Sequence, residues 1–432
     1  MGAAFGGGEH GRHLLQAPNA QGATIKHPAV HRRLVVCGTD SPNLLVFEMK
    51  SDGSFLEQSV LQNSENRYMQ RHGPHGISVQ WVAFHPSGLH AYAFTCFWTK
   101  GKGEAVTYAI DPESGKLSRK GVPCCTGGHQ PCRATFAPGE RPSWVAVAHC
   151  LDAVVSILDC RHGELAPEPI SQVRLPGAST FRNRSAKGGP LPLGLSFSRS
   201  GAFLAVCDAG REFVHVFAFD DENGILRATP LQVVPCNTTA PAQGFWQRQV
   251  LRKRGSRPCH IAFHPTLDVV YVLTQYGNAV SWLPFNSRTG ALELASGSSS
   301  STSCAAETAP CHGTRACCLP SINSASELCV SDDGRFLYIS NCGFGRGSED
   351  SVSVFGLDPA TGAARWIQSA VARGHPRHFK TLQNSSALVV ALHKSKALAR
   401  YMVDRSSGQL VLCSQHAVGY PLTSIAVCEL LR

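Results

Sequence analysis

The chain has 432 residues, of which 43% are hydrophobic and 16% charged, and its formal net charge is +10. This composition is ample for a large buried core. No stretch approaches 18 consecutive apolar residues, so we expect no membrane-spanning helix. Basic residues are not interleaved with aromatic residues and no helix-turn-helix pattern occurs, which argues against nucleic acid as a partner.

Residues 1–33 are rich in Gly, His and Arg and lack the apolar segment of a secretory signal. We expect a disordered tail here, with an organelle transit peptide as the alternative, and one folded domain over residues 34–432. Without a secretory signal the expected location is the cytoplasm, where thiols are reduced. The 18 cysteines are therefore expected to be free thiols, several of them packed inside strands.

A cysteine-rich stretch between residues 304 and 318 raises the question of a metal site. Its side chains are Cys304, Cys311, His312, Cys317 and Cys318. They lack the paired C-x₂-C spacing of zinc sites, so we expect neither a metal nor another cofactor.

From residue 34 onward the chain repeats one short β unit. In its clearest copy, a turn at 331–334 precedes a strand at 335–340, and an alternating strand at 351–357 ends in a Gly turn at 358–362. Copies recur at spacings of 45 to 67 residues. The residues that align just before the first turn are Phe84, Phe136, Phe197, Phe263, Val330, Thr381 and Ala426. Such four-strand repeats predict a β-propeller.

The two ends of the repeat region complement each other. The first unit, from Leu34, begins at its second strand, whereas the last segment, around Ile425, supplies only a first strand. We therefore predict an all-β, seven-bladed β-propeller that is closed by pairing of the C-terminal strand with the N-terminal blade, Ile425 lying beside the strand around Val35.

Basic residues cluster ahead of two innermost strands. The first cluster comprises Arg248, Arg252, Lys253, Arg254 and Arg257, and the second Arg373, His375, Arg377, His378 and Lys380. Loops that enter innermost strands lie near the mouth of a propeller channel, so both clusters predict a basin for an anionic small molecule. The alternative is that they are solvated loops.

Several segments resemble the lactonase family of seven-bladed propellers, which includes propeller-type 6-phosphogluconolactonases and carboxy-muconate cyclases. The closest segments are RPCHIAFHPTLDVVYVLTQYGNAVSWLPFNSRTGAL, SASELCVSDDGRFLYISNCGFG and GHPRHFKTLQNSSALVV. The resemblance implies a sugar-lactone hydrolase acting on an anionic lactone. Two alternatives remain: a muconate-type lactonising isomerase, and an inactive propeller that binds a metabolite or protein. We expect a monomer in each case.

The family frame implies a set of site residues. Glu327 and His260 are the implied catalytic groups, since lactone hydrolysis needs a base that activates water. Arg377 and Arg133 are expected to hold the substrate's anion, and Arg257 to replace a family cation missing at Cys259. The full set of implied substrate-binding residues is Arg377, His378, Arg133, Arg257, Asn341, Gln275 and Asp208; Thr423 is expected at the channel mouth.

The chain departs from the family at four polar positions, which carry Leu193, Cys259, Gln275 and Cys342. These losses favour the inactive alternative. A structural ion pair between Glu327 and Arg377, bridging neighbouring blades, is a further alternative to a catalytic role, because buried Arg and Glu are usually paired.

Overall fold

The computed structural model describes residues 30–62, 77–97, 102–178, 189–236, 255–293, 304–307, 322–344, 349–382 and 385–431. In these ranges 29 strands, β1 to β29, form seven antiparallel sheets. The part of the chain that the structure describes holds no helix of the length and apolarity that crossing a membrane requires.

Each sheet is one blade, and its first strand contacts the first strands of the neighbouring blades around the ring. The first strands are β4 (Ile77–Phe84), β8 (Pro131–Phe136), β12 (Pro192–Phe197), β17 (Pro258–Phe263), β21 (Ile322–Val330), β25 (Pro376–Thr381) and β29 (Leu422–Leu431). The second strands are β1 (Val30–Thr39), β5 (His90–Phe97), β9 (Trp144–His149), β13 (Phe203–Asp208), β18 (Val269–Thr274), β22 (Phe336–Phe344) and β26 (Ala387–Leu392).

The outer half of each blade is built in the same way. The third strands are β2 (Asn43–Met49), β6 (Glu104–Ile110), β10 (Val154–Asp159), β14 (Phe213–Asp220), β19 (Ala279–Pro284), β23 (Ser351–Leu357) and β27 (Ala397–Val403). The outer strands are β3 (Phe55–Gln62), β7 (Leu117–Cys125), β11 (Ser171–Arg174), β15 (Ile225–Leu226), β16 (Gln232–Pro235), β20 (Cys304–Glu307), β24 (Ala364–Val371) and β28 (Leu410–Ala417). We number the blades 1 to 7 by the chain order of their second strands.

The predicted closure is confirmed. Strand β29 pairs antiparallel with β1 in blade 1, with Ile425 opposite Cys37 and Val427 opposite Val35. Strand β1 begins at Val30, ahead of the boundary expected at residue 34, and residues 1–29 of the expected tail lie outside the described residues.

Four first strands start with proline followed at once by a register shift. The shifts fall between Pro131 and Arg133, and at the corresponding positions of β12, β17 and β25. Proline is tolerated at a strand start because it has no N–H to place in the ladder. The bulge adds one residue and redirects the side chains that follow it, which sets what faces the channel.

The hydrophobic core lies between neighbouring blades. Leu195 and Phe197 of blade 4, for example, pack with Trp144 of blade 3 in one buried cluster. Free thiols contribute to this core: Cys37 and Cys207 are fully buried, and burial raises the pKa of the Cys428 thiol to about 12. These thiols are therefore protonated and behave as small apolar groups.

Candidate functional site

A cavity of about 400 Å³ lies where the N-terminal ends of the first strands converge. Its wall carries side chains from every blade of the ring, including Gln80, Arg133, Leu193, Arg257, Glu327, Arg377 and Thr423. Glu327 is the one carboxylate on this wall among the described residues. The described part of the wall therefore carries three arginines, Arg133, Arg257 and Arg377, and one carboxylate.

Seven residues occupy equivalent positions, three places before the aligned residue of each first strand. They are Trp81, Arg133, Gly194, His260, Glu327, His378 and Thr423. Equivalent register places them at a similar depth around the channel. Gly194 is required here, because a Cβ atom would lie 2.8 Å from the Cys259 carbonyl oxygen of the next blade.

Glu327 is the centre of this ring. Its Oε2 accepts a hydrogen bond from Arg133 Nη2 at 2.8 Å, and its Oε1 accepts one from His260 Nε2 at 2.9 Å. Arg133 Nη1 donates to Oε1 at 3.3 Å, and His378 Nε2 lies 3.4 Å from the same oxygen. Glu327 is only 2% exposed, so a buried carboxylate is held by three side chains from three other blades.

Electrostatics keeps the Glu327 carboxyl ionised. Burial alone would raise its pKa, but the charge of Arg133, the hydrogen bond from His260 and the electrostatic effect of nearby His378 outweigh burial and hold the pKa well below its usual range. Burial lowers the pKa of His378 to about 3, and burial together with Arg133 lowers the pKa of His260. Both rings are therefore neutral at pH 7, and Arg133 is the charge that balances Glu327.

The hydrogen bonds assign the tautomer of each neutral ring. His378 Nδ1 accepts the backbone N–H of Ile425 at 3.1 Å, so its proton is on Nε2, facing Glu327. His260 likewise donates Nε2–H to Glu327, which leaves Nδ1 as a lone-pair atom. This Nδ1 is buried and has no hydrogen-bond partner in the described part of the chain.

Aromatic contacts fix Arg133 from the other side. Its guanidinium lies 4.6 Å from the centre of the Trp81 ring, and Trp81 meets the His378 ring edge-on, also at 4.6 Å. A cation over an aromatic face is attracted by the ring quadrupole. The register predicts that Trp81 belongs to the ring, although the functional reasoning from sequence did not select it.

Arg257 sits at the rim with a left-handed backbone, φ 65°, immediately before Pro258. A residue before proline favours extended geometry, so this conformation needs support from its surroundings. Glu212 of blade 4 supplies it, because its Oε1 accepts both the N–H and the hydroxyl of Ser256. The Arg257 side chain donates to the Tyr276 hydroxyl at 3.1 Å.

His375, before Pro376, has the same left-handed geometry at φ 59°. Here Asp350 of blade 6 is the support: its Oδ2 accepts the N–H groups of Gly374 and His375, each at 2.9 Å. Its Oδ1 accepts the Gly343 N–H at 2.8 Å. Asp350 thus fixes the loop that presents Arg377 to the cavity. Neither Asp350 nor Glu212 stands out in the sequence, since each lies in an ordinary turn.

The structure brings seven of the residues expected from the sequence to the cavity wall: Arg133, Arg257, Gln275, Glu327, Arg377, His378 and Thr423. His260 contacts Glu327 from behind this wall. Asp208 and Asn341 are fully buried away from it; Asp208 Oδ1 accepts the Leu191 N–H at 2.8 Å.

The alternative ion pair between Glu327 and Arg377 is wrong. Arg133, on the far side of the ring, is the partner of Glu327, while the backbone oxygen of Arg377 accepts a hydrogen bond from Ser326. Four residues of the first basic cluster, Arg248, Arg252, Lys253 and Arg254, lie outside the described residues. So do Cys311, His312, Cys317 and Cys318, and the remaining described residues contain no group of three or more side chains arranged to hold a metal.

Several known proteins are similar to this chain in sequence or in fold. The 6-phosphogluconolactonase of Bacillus subtilis is 22% identical over 324 residues, which are 74% of this chain and 80% of that protein. A putative 6-phosphogluconolactonase from Bacteroides fragilis has a TM-score of 0.69 at 17% identity, covering 92% of this chain and 98% of its own. A periplasmic gluconolactonase from Pseudomonas aeruginosa has a TM-score of 0.69 at 20% identity, with coverages of 92% and 99%.

At these identities the solved structures establish the shared fold. Residues 70–426 match the family described as Lactonase, 7-bladed beta-propeller, which is most of the chain. The chain therefore belongs to the lactonase family of seven-bladed β-propellers.

Proposed function

We propose that the protein hydrolyses a lactone that carries an anionic group, and that the reaction takes place in the cavity around Glu327. One observation carries this proposal: the ionised carboxylate of Glu327 shares the cavity wall with Arg257 and Arg377. Within the described ranges no carboxylate pairs with either of these arginines. The family and its members named 6-phosphogluconolactonase support the same reaction class.

In the proposed reaction a water molecule attacks the lactone carbonyl. Glu327 accepts the proton of this water, and the C–O bond to the ring oxygen then breaks, the proton passing to the departing oxygen to give a hydroxy acid. A carboxylate with so low a pKa is a weak base. Because the base is weak, the reaction needs further stabilisation of its transition state. Arg133 provides this by stabilising the oxyanion that forms at the carbonyl, where positioned donors contribute most.

His260 is a positioning residue in this scheme. Its Nε2–H holds Oε1 of Glu327, while the two hydrogen bonds from Arg133 fix the plane of the carboxylate. Arg257 and Arg377 bind the substrate's phosphate or carboxylate, because guanidinium groups match the geometry of these anions.

The experiment is the turnover of anionic lactones by purified protein, corrected for spontaneous hydrolysis. Glu327→Gln should lower kcat by about 10² to 10⁴, since an amide is neither base nor anion. The matched control is Glu164→Gln, at an exposed ion pair with Lys120, which should leave kcat unchanged. Wild-type protein without turnover above background contradicts the proposal, and an equally fast Glu327→Gln variant contradicts the assignment of Glu327.

Binding without catalysis is a second candidate, because one observation favours it. The four positions at which the chain departs from the family, Leu193, Cys259, Gln275 and Cys342, all lie on the cavity wall. Calorimetric binding of a lactone or its hydroxy acid without turnover would support this candidate. Turnover of 3-carboxymuconate would instead favour the cyclase.

We further propose that the protein acts as a monomer in the cytoplasm. Size-exclusion chromatography with light scattering tests the first point, and cell fractionation tests the second.

A further inference from the structure

One part of the cavity wall is made of side chains that carry no oxygen or nitrogen atom. It is formed by Cys132 of blade 3, Leu193 of blade 4, Cys259 of blade 5, and Ala325 with Cys342 of blade 6. We call these five residues the apolar wall.

Contacts between the first strands make this wall continuous. Cys132 Sγ donates to the Pro192 carbonyl oxygen at 3.4 Å, which joins blade 3 to the residue before Leu193. Leu193 packs against a hydrophobic cluster that contains Cys259 and Ala325. Cys259 Sγ lies 3.8 Å from the Ala325 carbonyl oxygen, and this contact joins blade 5 to blade 6. The wall is therefore an extension of the core into the cavity.

The thiols of the apolar wall already donate hydrogen bonds within the protein. Cys132 and Cys259 donate to backbone carbonyls, and Cys342 Sγ donates to the Pro376 carbonyl oxygen at 3.7 Å. Burial raises the pKa of the Cys259 and Cys342 thiols to about 12, so both are protonated and uncharged. A ligand that touches the wall meets sulfur and carbon atoms, which satisfy neither a hydroxyl donor nor a hydroxyl acceptor.

Cationic side chains occupy other parts of the same cavity. Arg257 approaches from blade 5, and Arg377 from blade 7. A ligand that fills the cavity therefore places a negative charge near the arginines and another part of its surface against the apolar wall.

We propose that the substrate of this site is a lactone with one anionic group and a carbon face without hydroxyl groups, rather than a polyhydroxylated sugar lactone. The inference rests on the proposed hydrolysis and narrows its substrate class. A sugar hydroxyl that faces the apolar wall would lose its hydrogen bonds to water and would form none with the protein. At such a site a poorly matched group on the substrate lowers kcat/KM by about 10- to 100-fold.

A matched pair of lactones tests this inference. The first is 6-phosphogluconolactone, and the second is the same phosphorylated δ-lactone with its ring hydroxyls replaced by hydrogen. We expect kcat/KM to be at least about 10-fold higher for the deoxy lactone. An equal or higher value for 6-phosphogluconolactone overturns the inference, although it leaves the proposed hydrolysis intact. A third compound, with carboxylate in place of phosphate, identifies which anion the arginines prefer.

If neither lactone is hydrolysed, the proposed function fails, and binding decides the inference separately. Calorimetry with the two ring-opened acids should show binding of the deoxy acid at least about 10-fold tighter. Equal affinities, or no binding of either acid, overturn it.

Variants of the wall provide a second test. Leu193→Asn introduces an amide that can pair with hydroxyls, and it should reduce the preference for the deoxy compound. Cys342→Ser is the second variant if Leu193→Asn does not fold, as judged by thermal melting. The control is Leu412→Asn on outer strand β28, where the side chain is 50% exposed. A preference unchanged in both wall variants contradicts the assignment.

Discussion

Arg133 of blade 3 and Glu327 of blade 6 meet across the channel, their Nη2 and Oε2 atoms 2.8 Å apart although 194 positions separate them in sequence. The side chains are only 12% and 3% exposed. This pair is therefore both the electrostatic centre of the cavity and a contact between blades that are not neighbours in the ring.

Removal of Arg133 should destabilise the whole protein. In Arg133→Ala the Glu327 carboxylate stays buried but loses its charge partner, which typically costs about 3–5 kcal/mol. Urea unfolding measures this loss. The control is Arg335→Ala, whose exposed pair with Asp333 should be worth about 1 kcal/mol or less. Equal losses of unfolding free energy in the two variants would show that the buried pair stabilises the protein no more than the exposed pair does.

Stability should fall as the pH drops from 7 to 5. His378, with a folded-state pKa of about 3, and His149, with one of about 4, stay neutral when folded, whereas both bind a proton in the unfolded chain below about pH 6.5. Protons then favour the unfolded state, so stability present above pH 6.5 is lost as the pH falls towards the folded-state pKa values.

The slope is at most about 1.4 kcal/mol per pH unit for each such histidine. Urea unfolding at half-unit steps of pH measures it. The variant His149→Gln removes one titrating group, and its stability curve should be flatter over this range. A curve that rises on acidification would contradict the assignment of buried neutral rings.

Loss of the Asp350 carboxylate should weaken substrate binding more than catalysis. In Asp350→Ala the N–H groups of Gly374 and His375 lose the one side-chain oxygen that accepts both of them, so Arg377 is no longer held at the cavity. We expect KM to rise about 10-fold with kcat nearly unchanged, the pattern of a lost binding interaction.

Asp358→Ala is the control for this prediction. Asp358 accepts backbone N–H groups in the exposed turn between β23 and β24, away from the cavity. Steady-state kinetics of both variants should separate them. A kcat that falls as far as kcat/KM in Asp350→Ala would instead place Asp350 in the chemical step.

Deletion of residues 421–432 should unfold the ring as a unit. This segment contains β29, the first strand of blade 1, and Ile425 within it is completely buried. Its loss leaves β1 paired only with β2, exposes the inner edge of β1 and opens the propeller. Amide hydrogen exchange should then increase in blade 4, far from the deletion. Exchange that increases only in blades 1, 2 and 7 would indicate local disorder instead.

The sequence predicts the ring closure because each end lacks one kind of strand: the first unit, around Val35, begins at its second strand, and the segment around Ile425 supplies only a first strand. Aligned register also predicts the common depth of Arg133, Glu327 and His378. These are properties of local periodicity, which a single chain displays directly.

The partner of Glu327 could not be read in this way. Arg133, His260 and His378 share the depth of Glu327 in the alignment, and only the folded ring shows that Arg133 supplies the balancing charge while Arg377 contacts Ser326 through its backbone oxygen. The sequence also does not predict that Asp208 is buried, because the groups that donate hydrogen bonds to its carboxylate are backbone N–H groups, which every residue type except proline has.

Because the first strands share one register, substitutions on the cavity wall fall into two kinds: those that change the ligand surface alone and those that also change the stability of the ring. Leu193 lies at the bulge of β12, whose ladder hydrogen bonds pair with β13 of the same blade, so a substitution there alters the wall without removing a ladder bond. Glu327 and its three partners link the wall to the ring's stability through a buried charge. New ligand preferences are therefore accessible one blade at a time, while the four linked residues must change together or stay as they are.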